Sequence, residues 1–107
     1  MTPAVSPAEA AEQLAAGALA LDVREDWEWQ GGRIAGALHI PLAELGSRLD
    51  ELPRERPLVA VCRSGQRSAA VTDALVAAGL AAVNLDGGLR AWAAAGLPLD
   101  PDGARVL

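Results

Sequence analysis

The chain has 107 residues, 51% of them hydrophobic and 21% charged, which predicts one globular domain rather than two domains or a disordered chain. The formal net charge of −5 argues against a general nucleic-acid binder and against a surface attracted to anionic lipid, since both need a basic face. A single cysteine cannot form an internal disulfide, and with a single histidine it cannot build a zinc site.

No segment of the sequence has the pattern of a membrane span or a secretion signal. No run of about 18 apolar residues occurs, as a transmembrane helix would need. Residues 1–6 lack the basic start and the long apolar stretch of a signal peptide. We therefore expect a cytoplasmic protein with no membrane partner.

The chain opens on a predicted helix and then alternates strands with helices. Ser6 is the expected N-cap, Pro7 takes the first helical position, Glu9 completes a capping box, and Gly17 ends the helix. The other elements are listed here in chain order: a strand at 18–23, a loop with one helical turn at 24–36, a strand at 37–40, leucines at helical spacing over 42–52, a strand at 58–61, a helix at 68–78, a strand at 82–85 and a helix at 89–95.

Strands that alternate with helices predict an α/β fold, with a mainly parallel sheet covered by helices on both faces. The whole chain, residues 1–107, is then a single domain with its core over about residues 6–98. Residues 99–107 are expected to form a loose tail. Ligands of such folds bind at the carboxyl ends of the strands.

The most informative segment is the one that follows the third of these strands. The strand at residues 58–61 delivers Cys62 to its carboxyl end, and a polar loop over residues 62–67 leads into a helix. Gly65 permits a positive φ angle, so successive backbone N–H groups can point inward as an anion-binding nest. The helix N-terminus and the two loop arginines add positive charge, and such surroundings lower the pKa of a thiol from about 8.5 into the range of about 3.5 to 7.5. Cys62 is therefore the predicted nucleophile.

Four segments, in chain order, resemble signatures of the rhodanese family. They are L-D-V-R-E at 21–25, G-R-I-A-G-A-L-H-I-P at 32–41, C-R-S-G-Q-R-S at 62–68 and D-G-G-L-R-A-W-A-A-A-G-L-P at 86–98. The third resembles the catalytic loop of that family. The resemblance implies a three-layer domain with a five-stranded sheet, and a sulfurtransferase that needs no cofactor and no metal.

The resemblance also implies the reaction. Cys62 would take the sulfane sulfur of a small anionic donor such as thiosulfate, hold it as a persulfide, and pass it to cyanide, an external thiol or a sulfur-acceptor protein. Because the chain has no second cysteine, the acceptor must come from outside. The residues expected to surround the donor are Arg63, Ser64, Gly65, Gln66, Arg67 and Ser68.

Several other polar and aromatic residues have structural or supporting roles in this interpretation. Asp22 and Arg24 are expected to brace neighbouring loops through hydrogen bonds or an ion pair, and Trp29 to line the pocket entrance. His39 is interpreted as a structural histidine, and Ser68 as the N-cap of its helix. The acidic cluster is interpreted as a solvated face and comprises Glu25, Asp26 and Glu28.

Other interpretations remain open from the sequence. Cys62 would be an inert packing residue if the thiol lay in an apolar core. A phosphatase or arsenate reductase would need a longer loop than this one, in which Arg67 follows Cys62 in a C-x4-R pattern rather than C-x5-R. A non-enzymatic regulatory module and a persulfide relay to a protein partner are further alternatives. The protein is expected to be a monomer or a weak dimer.

Overall fold

Five parallel strands form one sheet in the computed structural model, which describes residues 1–107. The strands are β1 (Ala4–Val5), β2 (Leu19–Asp22), β3 (Leu38–His39), β4 (Leu58–Val61) and β5 (Ala82–Leu85), in the order β1-β5-β4-β2-β3. The helices are α1 (Pro7–Ala15), α2 (Asp26–Gly31), α3 (Leu42–Leu45), α4 (Gln66–Ala77) and α5 (Gly88–Ala94), with a 3-10 turn at Leu49–Glu51. The predicted fold, a five-stranded parallel sheet between helices, is confirmed.

The central strand β4 is buried on both faces, as its unbroken apolar sequence predicts. Its side chains alternate between two hydrophobic cores. Leu58 and Ala60 belong to the core that α3 and α4 cover, and Val59 and Val61 to the core that α1 and α5 cover. Cys62 continues this alternation, so its side chain lies on the α4 side of the sheet.

The start of α1 follows its sequence signal. The Ser6 hydroxyl accepts a hydrogen bond from the Glu9 amide at 3.1 Å, and the Glu9 carboxylate accepts one from the Ser6 amide at 2.9 Å. This capping box satisfies two of the N–H groups that a helix start leaves free. The two-residue strand β1 precedes it and pairs with β5, although no sequence pattern predicted it.

The leucines of residues 42–52 do not form one continuous helix. The helix α3 ends at Leu45, and a separate 3-10 turn follows at Leu49–Glu51. Gly46 and Ser47, which favour helices weakly, lie at the interruption. Leu45 and Leu52 are buried, so the helical spacing identified the correct inward-facing residues although the helix is broken.

The last nine residues, expected to form a loose tail, lie against the domain. Leu99 is buried, and the backbones of Arg33 and Asp100 exchange two hydrogen bonds of 3.0 and 2.7 Å. Ala104 and Val106 pack at the edge of the core that α1 and α5 cover. The apolar residues of the segment and its backbone pairing therefore fix it. No helix has both the length and the apolar character needed to cross a membrane, and the longest, α4, has 12 residues.

Candidate active site

Cys62 lies directly after β4, at the carboxyl edge of the sheet. Its carbonyl oxygen accepts a hydrogen bond of 2.9 Å from the Leu89 amide, and the carbonyl of Arg63 accepts one of 3.0 Å from the Arg90 amide. The first turn of α5 thereby binds the carbonyl side of the loop. With these carbonyls turned toward α5, the next amides of the loop are free to face the sulfur.

Two glycines allow the loop and the following turn to approach each other. Gly65 has φ +95°, in the left-handed region, and caps the start of α4. Gly88 has φ +64°, and a Cβ at this position would collide with the carbonyl group of Arg63 and come within 2.7 Å of the Cys62 carbonyl oxygen. The loop therefore occupies space that exists only because residue 88 has no side chain.

The sulfur of Cys62 accepts hydrogen bonds from two backbone amides and lies within hydrogen-bond distance of one hydroxyl. The amide nitrogen of Gly65 lies 3.1 Å from Sγ, the amide nitrogen of Ser68 lies at 3.4 Å, and the Ser68 hydroxyl lies at 3.2 Å. The predicted loop of residues 62–67 is shorter than expected, because α4 begins at Gln66. The prediction of Ser68 as N-cap is wrong: Gly65 is the N-cap, and Ser68 lies in the first turn of α4 with its hydroxyl on the thiol.

Two opposing effects act on the pKa of the Cys62 thiol. Burial raises this pKa, since it disfavours the charged thiolate. The Ser68 hydroxyl and the amides of Ser68, Gly65 and Ser64 act in the other direction and outweigh burial. The net pKa lies below that of an ordinary cysteine. The amides among these donors are those of the nest that the sequence predicts, whereas neither loop arginine is among the groups that lower the pKa of the thiol most.

The thiol has no solvent-exposed surface. The two surface clefts, of about 380 and 290 Å³, lie elsewhere and contain no residue of the cysteine loop. Burial alone would fit an inert packing cysteine, but a ring of three donors around one sulfur does not. A reagent therefore reaches Sγ only when the atoms that cover the thiol move.

The loop arginines differ in their surroundings. Arg67 forms a two-point ion pair with Glu28, and Glu28 is only 3% exposed. The assignment of Glu28 to a solvated acidic face is therefore wrong, whereas Glu25 and Asp26 are exposed. The side chain of Arg63 is exposed and takes part in none of the ion pairs.

Asp22 and Arg24 form a buried ion pair at the end of β2. Both Asp22 carboxylate oxygens accept from the Arg24 guanidinium at 2.9–3.1 Å, and both residues are almost fully buried. The guanidinium also donates to the carbonyls of Glu28 (3.2 Å) and Gly32 (2.7 Å). Arg24 thus binds the middle and the C-terminal end of α2, the helix that carries the partner of Arg67. Removing one member of such a buried pair typically costs about 3–5 kcal/mol.

Trp29 and His39 stack on each other, with ring centroids 4.6 Å apart and planes 6° from parallel. His39 Nε2 lies 2.7 Å from the Arg24 carbonyl oxygen, which can only accept, so this nitrogen carries the proton. The Arg33 guanidinium lies over the Trp29 ring at 4.9 Å. These contacts give His39 a structural role, and they hold Trp29 of α2 against His39 of β3.

The structure adds one polar residue to the site that the sequence analysis did not single out. Asn84 of β5 is buried, accepts a hydrogen bond of 2.6 Å from the Ser68 hydroxyl and donates one of 3.0 Å to the Gly65 carbonyl. Its signal in the sequence was a polar residue inside an apolar strand, A-V-N-L. Ser64 and Gln66 are exposed at the rim of the loop. No group of three His, Cys, Asp or Glu side chains is arranged to hold a metal ion.

Comparisons with known proteins identify the family of this chain. The rhodanese-like domain family matches residues 6–95. A putative sulfurtransferase of Bacillus subtilis, YtwF, is 39% identical over 72 residues, which are 67% of this chain and 70% of that protein. The HTH-type transcriptional regulator Rv0324 of Mycobacterium tuberculosis is 42% identical over 106 residues. The alignment covers 96% of this chain but 46% of the regulator, so the chain spans about half the length of that relative.

Solved structures show the same likeness. A rhodanese-related protein from Thermoplasma volcanium matches with a TM-score of 0.87 and 34% sequence identity, covering 91% of this chain and 96% of that one. The family match extends from the capping box of α1 to the end of α5 and includes the whole cysteine loop. The chain is therefore a member of the rhodanese-like domain family.

Proposed function

We propose that this domain is a sulfurtransferase that carries sulfur as a persulfide on Cys62. In the first half-reaction, the Cys62 thiolate attacks the sulfane sulfur of thiosulfate. A new S–S bond forms, the S–S bond of thiosulfate breaks, and sulfite leaves with the bonding electron pair. In the second half-reaction, an acceptor thiolate or cyanide attacks the terminal sulfur, and Cys62 leaves as the thiolate. Both steps balance without an oxidant or reductant and predict ping-pong kinetics.

The observation that carries this proposal is the ring of hydrogen-bond donors on Sγ. Two backbone amides and one hydroxyl lie 3.1–3.4 Å from the sulfur. Donors fixed in this way stabilise negative charge on sulfur without reorganising during the reaction. The same donors lower the pKa of the thiol, so a larger fraction of Cys62 is in the nucleophilic form at neutral pH.

The acceptor in this proposal is an external thiol or a sulfur-acceptor protein. Cys62 is the one cysteine of the chain, so no second thiol is present to resolve the persulfide. The sulfur therefore has to leave for another molecule.

A regulatory role is the second candidate function. The relative named as an HTH-type transcriptional regulator aligns with 96% of this chain, so a domain of this kind occurs in a protein of that name. In that role the domain would bind a partner without turnover, and Cys62 would not need to transfer sulfur. The two functions differ in whether Cys62 accepts and releases sulfur.

Intact-protein mass spectrometry after incubation with thiosulfate tests the proposal. We expect one added sulfur atom, lost again on treatment with cyanide or a small thiol. Cys62→Ser is the matched control, because it replaces one atom and should fold normally by circular dichroism without gaining sulfur. A folded parent protein that gains no sulfur would support the regulatory role. Hydrolysis of p-nitrophenyl phosphate without sulfur uptake would instead support a phosphatase.

A further inference from the structure

The side chain of Asn84 lies between the two segments that hold the thiol. It is 5% exposed and makes two hydrogen bonds. Nδ2 donates to the Gly65 carbonyl at 3.0 Å, and Oδ1 accepts from the Ser68 hydroxyl at 2.6 Å. A carbonyl only accepts, so the contact with Gly65 fixes which end of the amide faces Ser68. No other donor contacts Oδ1 in the structure.

The Ser68 hydroxyl has two acceptors within reach and one proton. Its oxygen lies 2.6 Å from Asn84 Oδ1 and 3.2 Å from Cys62 Sγ. A hydroxyl donates one hydrogen bond at a time, so the proton points either to the amide oxygen or to the sulfur. The shorter distance to Asn84 favours the amide oxygen while the sulfur is protonated.

We propose that Asn84 is a positioning residue, which competes with Cys62 for the proton of the Ser68 hydroxyl. In the thiol state, the Cys62 S–H donates to the Ser68 hydroxyl, and the hydroxyl donates to Asn84. The thiol, the hydroxyl and Asn84 Oδ1 then each have a hydrogen-bond partner. In the thiolate state, the hydroxyl turns to Sγ and Asn84 Oδ1 loses its donor. Leaving a buried acceptor without a donor is unfavourable, so Asn84 opposes ionisation of Cys62.

This competition counteracts the other donors of the site. The amides of Gly65 and Ser68 stabilise the thiolate in both orientations of the hydroxyl, whereas the hydroxyl does so only when it turns away from Asn84. The thiol pKa is therefore set between what the amides alone and the full ring would give. The competition for the Ser68 proton does not depend on the proposed function. Only its role in tuning the reactivity of Cys62 for sulfur transfer rests on that function.

Charged groups near the site are left unchanged by the test. They comprise Arg63 of the loop, Arg67 of α4, Glu28 of α2, Asp22 and Arg24 at the end of β2, Asp86 after β5 and Arg90 of α5.

The Gly65 carbonyl keeps a second hydrogen bond when the Asn84 side chain is removed, because it also accepts from the Ala69 amide at 3.1 Å. Removing the Asn84 side chain should therefore leave the backbone of the loop in place.

The rate of alkylation of Cys62 by iodoacetamide, measured against pH, tests the inference. In Asn84→Ala, the hydroxyl has only the sulfur as acceptor, so the midpoint of the profile should move to lower pH. The rate well below the midpoint should rise about twofold to threefold, since the larger thiolate fraction is partly offset by weaker nucleophilicity. Asn84→Leu, which keeps the volume of the side chain, should move the midpoint in the same direction.

A double-mutant cycle separates this role from a general effect on folding. Ser68→Ala removes the shared proton and should move the midpoint to higher pH. In the Ser68→Ala background, Asn84→Ala should have no further effect. An unchanged midpoint in Asn84→Ala, a move to higher pH, or the same downward move without Ser68 would each overturn the inference. Sulfur transfer is not measured, so these outcomes are independent of whether Cys62 forms a persulfide.

Discussion

Glu28 of α2 holds Arg67 of α4 through two parallel hydrogen bonds, with Nη1 2.7 Å from Oε1 and Nη2 3.0 Å from Oε2. Glu28 is 3% exposed, and Arg67 is 35% exposed. The arginine expected to attract an anionic donor is therefore already paired with a carboxylate. The mouth of the site holds less positive charge than the loop sequence suggests, and Arg63 is the loop arginine without an ionic partner.

This pairing predicts how charge at position 28 affects reagents that reach Cys62. Glu28→Gln keeps the shape and a hydrogen bond but removes the negative charge, so Arg67 can attract anions. We expect the rate of alkylation by iodoacetate, which is anionic, to rise about threefold to tenfold relative to the rate with neutral iodoacetamide. This is the effect of a partly exposed charge worth about 1 kcal/mol. The ratio of the two alkylation rates measures this change and cancels differences in thiolate fraction.

Asp26→Asn is the matched control for this prediction. It removes the same charge two residues earlier in the same helix, at an exposed carboxylate that does not contact Arg67. If both substitutions changed the ratio equally, net charge rather than the ion pair would be the cause.

The sequence predicts the fold of this protein better than the contacts at its site. Strands β4 and β5 have the predicted bounds because their apolar runs are unambiguous. The loop residues were identified because a strand, a cysteine and a glycine lie next to one another in the chain. In contrast, the contacts of Glu28 with Arg67 and of Asn84 with Ser68 join residues 39 and 16 positions apart. Such partners depend on how the helices lie across the sheet, which no local pattern encodes.

The same ion pair predicts how stability depends on pH. The hydrogen bonds from Arg67 lower the pKa of Glu28 below its ordinary value of 4.5, although burial acts in the opposite direction. A lowered folded-state pKa stabilises the protein at pH values above 4.5, and this contribution is lost as the pH falls through the lower folded-state pKa. Urea denaturation should show that the parent protein and Glu28→Gln differ most above pH 5 and converge in acid. Parallel curves over this range would show that the ion pair does not contribute.

A final prediction concerns the close approach of the cysteine loop to Gly88. A Cβ at residue 88 would collide with the Arg63 carbonyl group, and φ is +64°. Gly88→Ala should therefore lower the free energy of unfolding by about 2–5 kcal/mol, combining the left-handed backbone with overpacking. The peptides that must move lead directly into Gly65, whose amide donates to Sγ, so their displacement should weaken this hydrogen bond. The midpoint of Cys62 alkylation should therefore also move to higher pH.

Gly79→Ala separates these two effects, since Gly79 has φ +87° but no atom within 4 Å of the added Cβ. Gly79→Ala should lower the free energy of unfolding only by the cost of the left-handed backbone, about 1–2 kcal/mol, and should leave the alkylation midpoint unchanged. Urea denaturation and iodoacetamide profiles of both variants measure the comparison. If Gly88→Ala proved no more destabilising than Gly79→Ala and kept the parent midpoint, the loop would not depend on the missing side chain. A larger loss together with a raised midpoint would show that Gly88 keeps the amides on the sulfur.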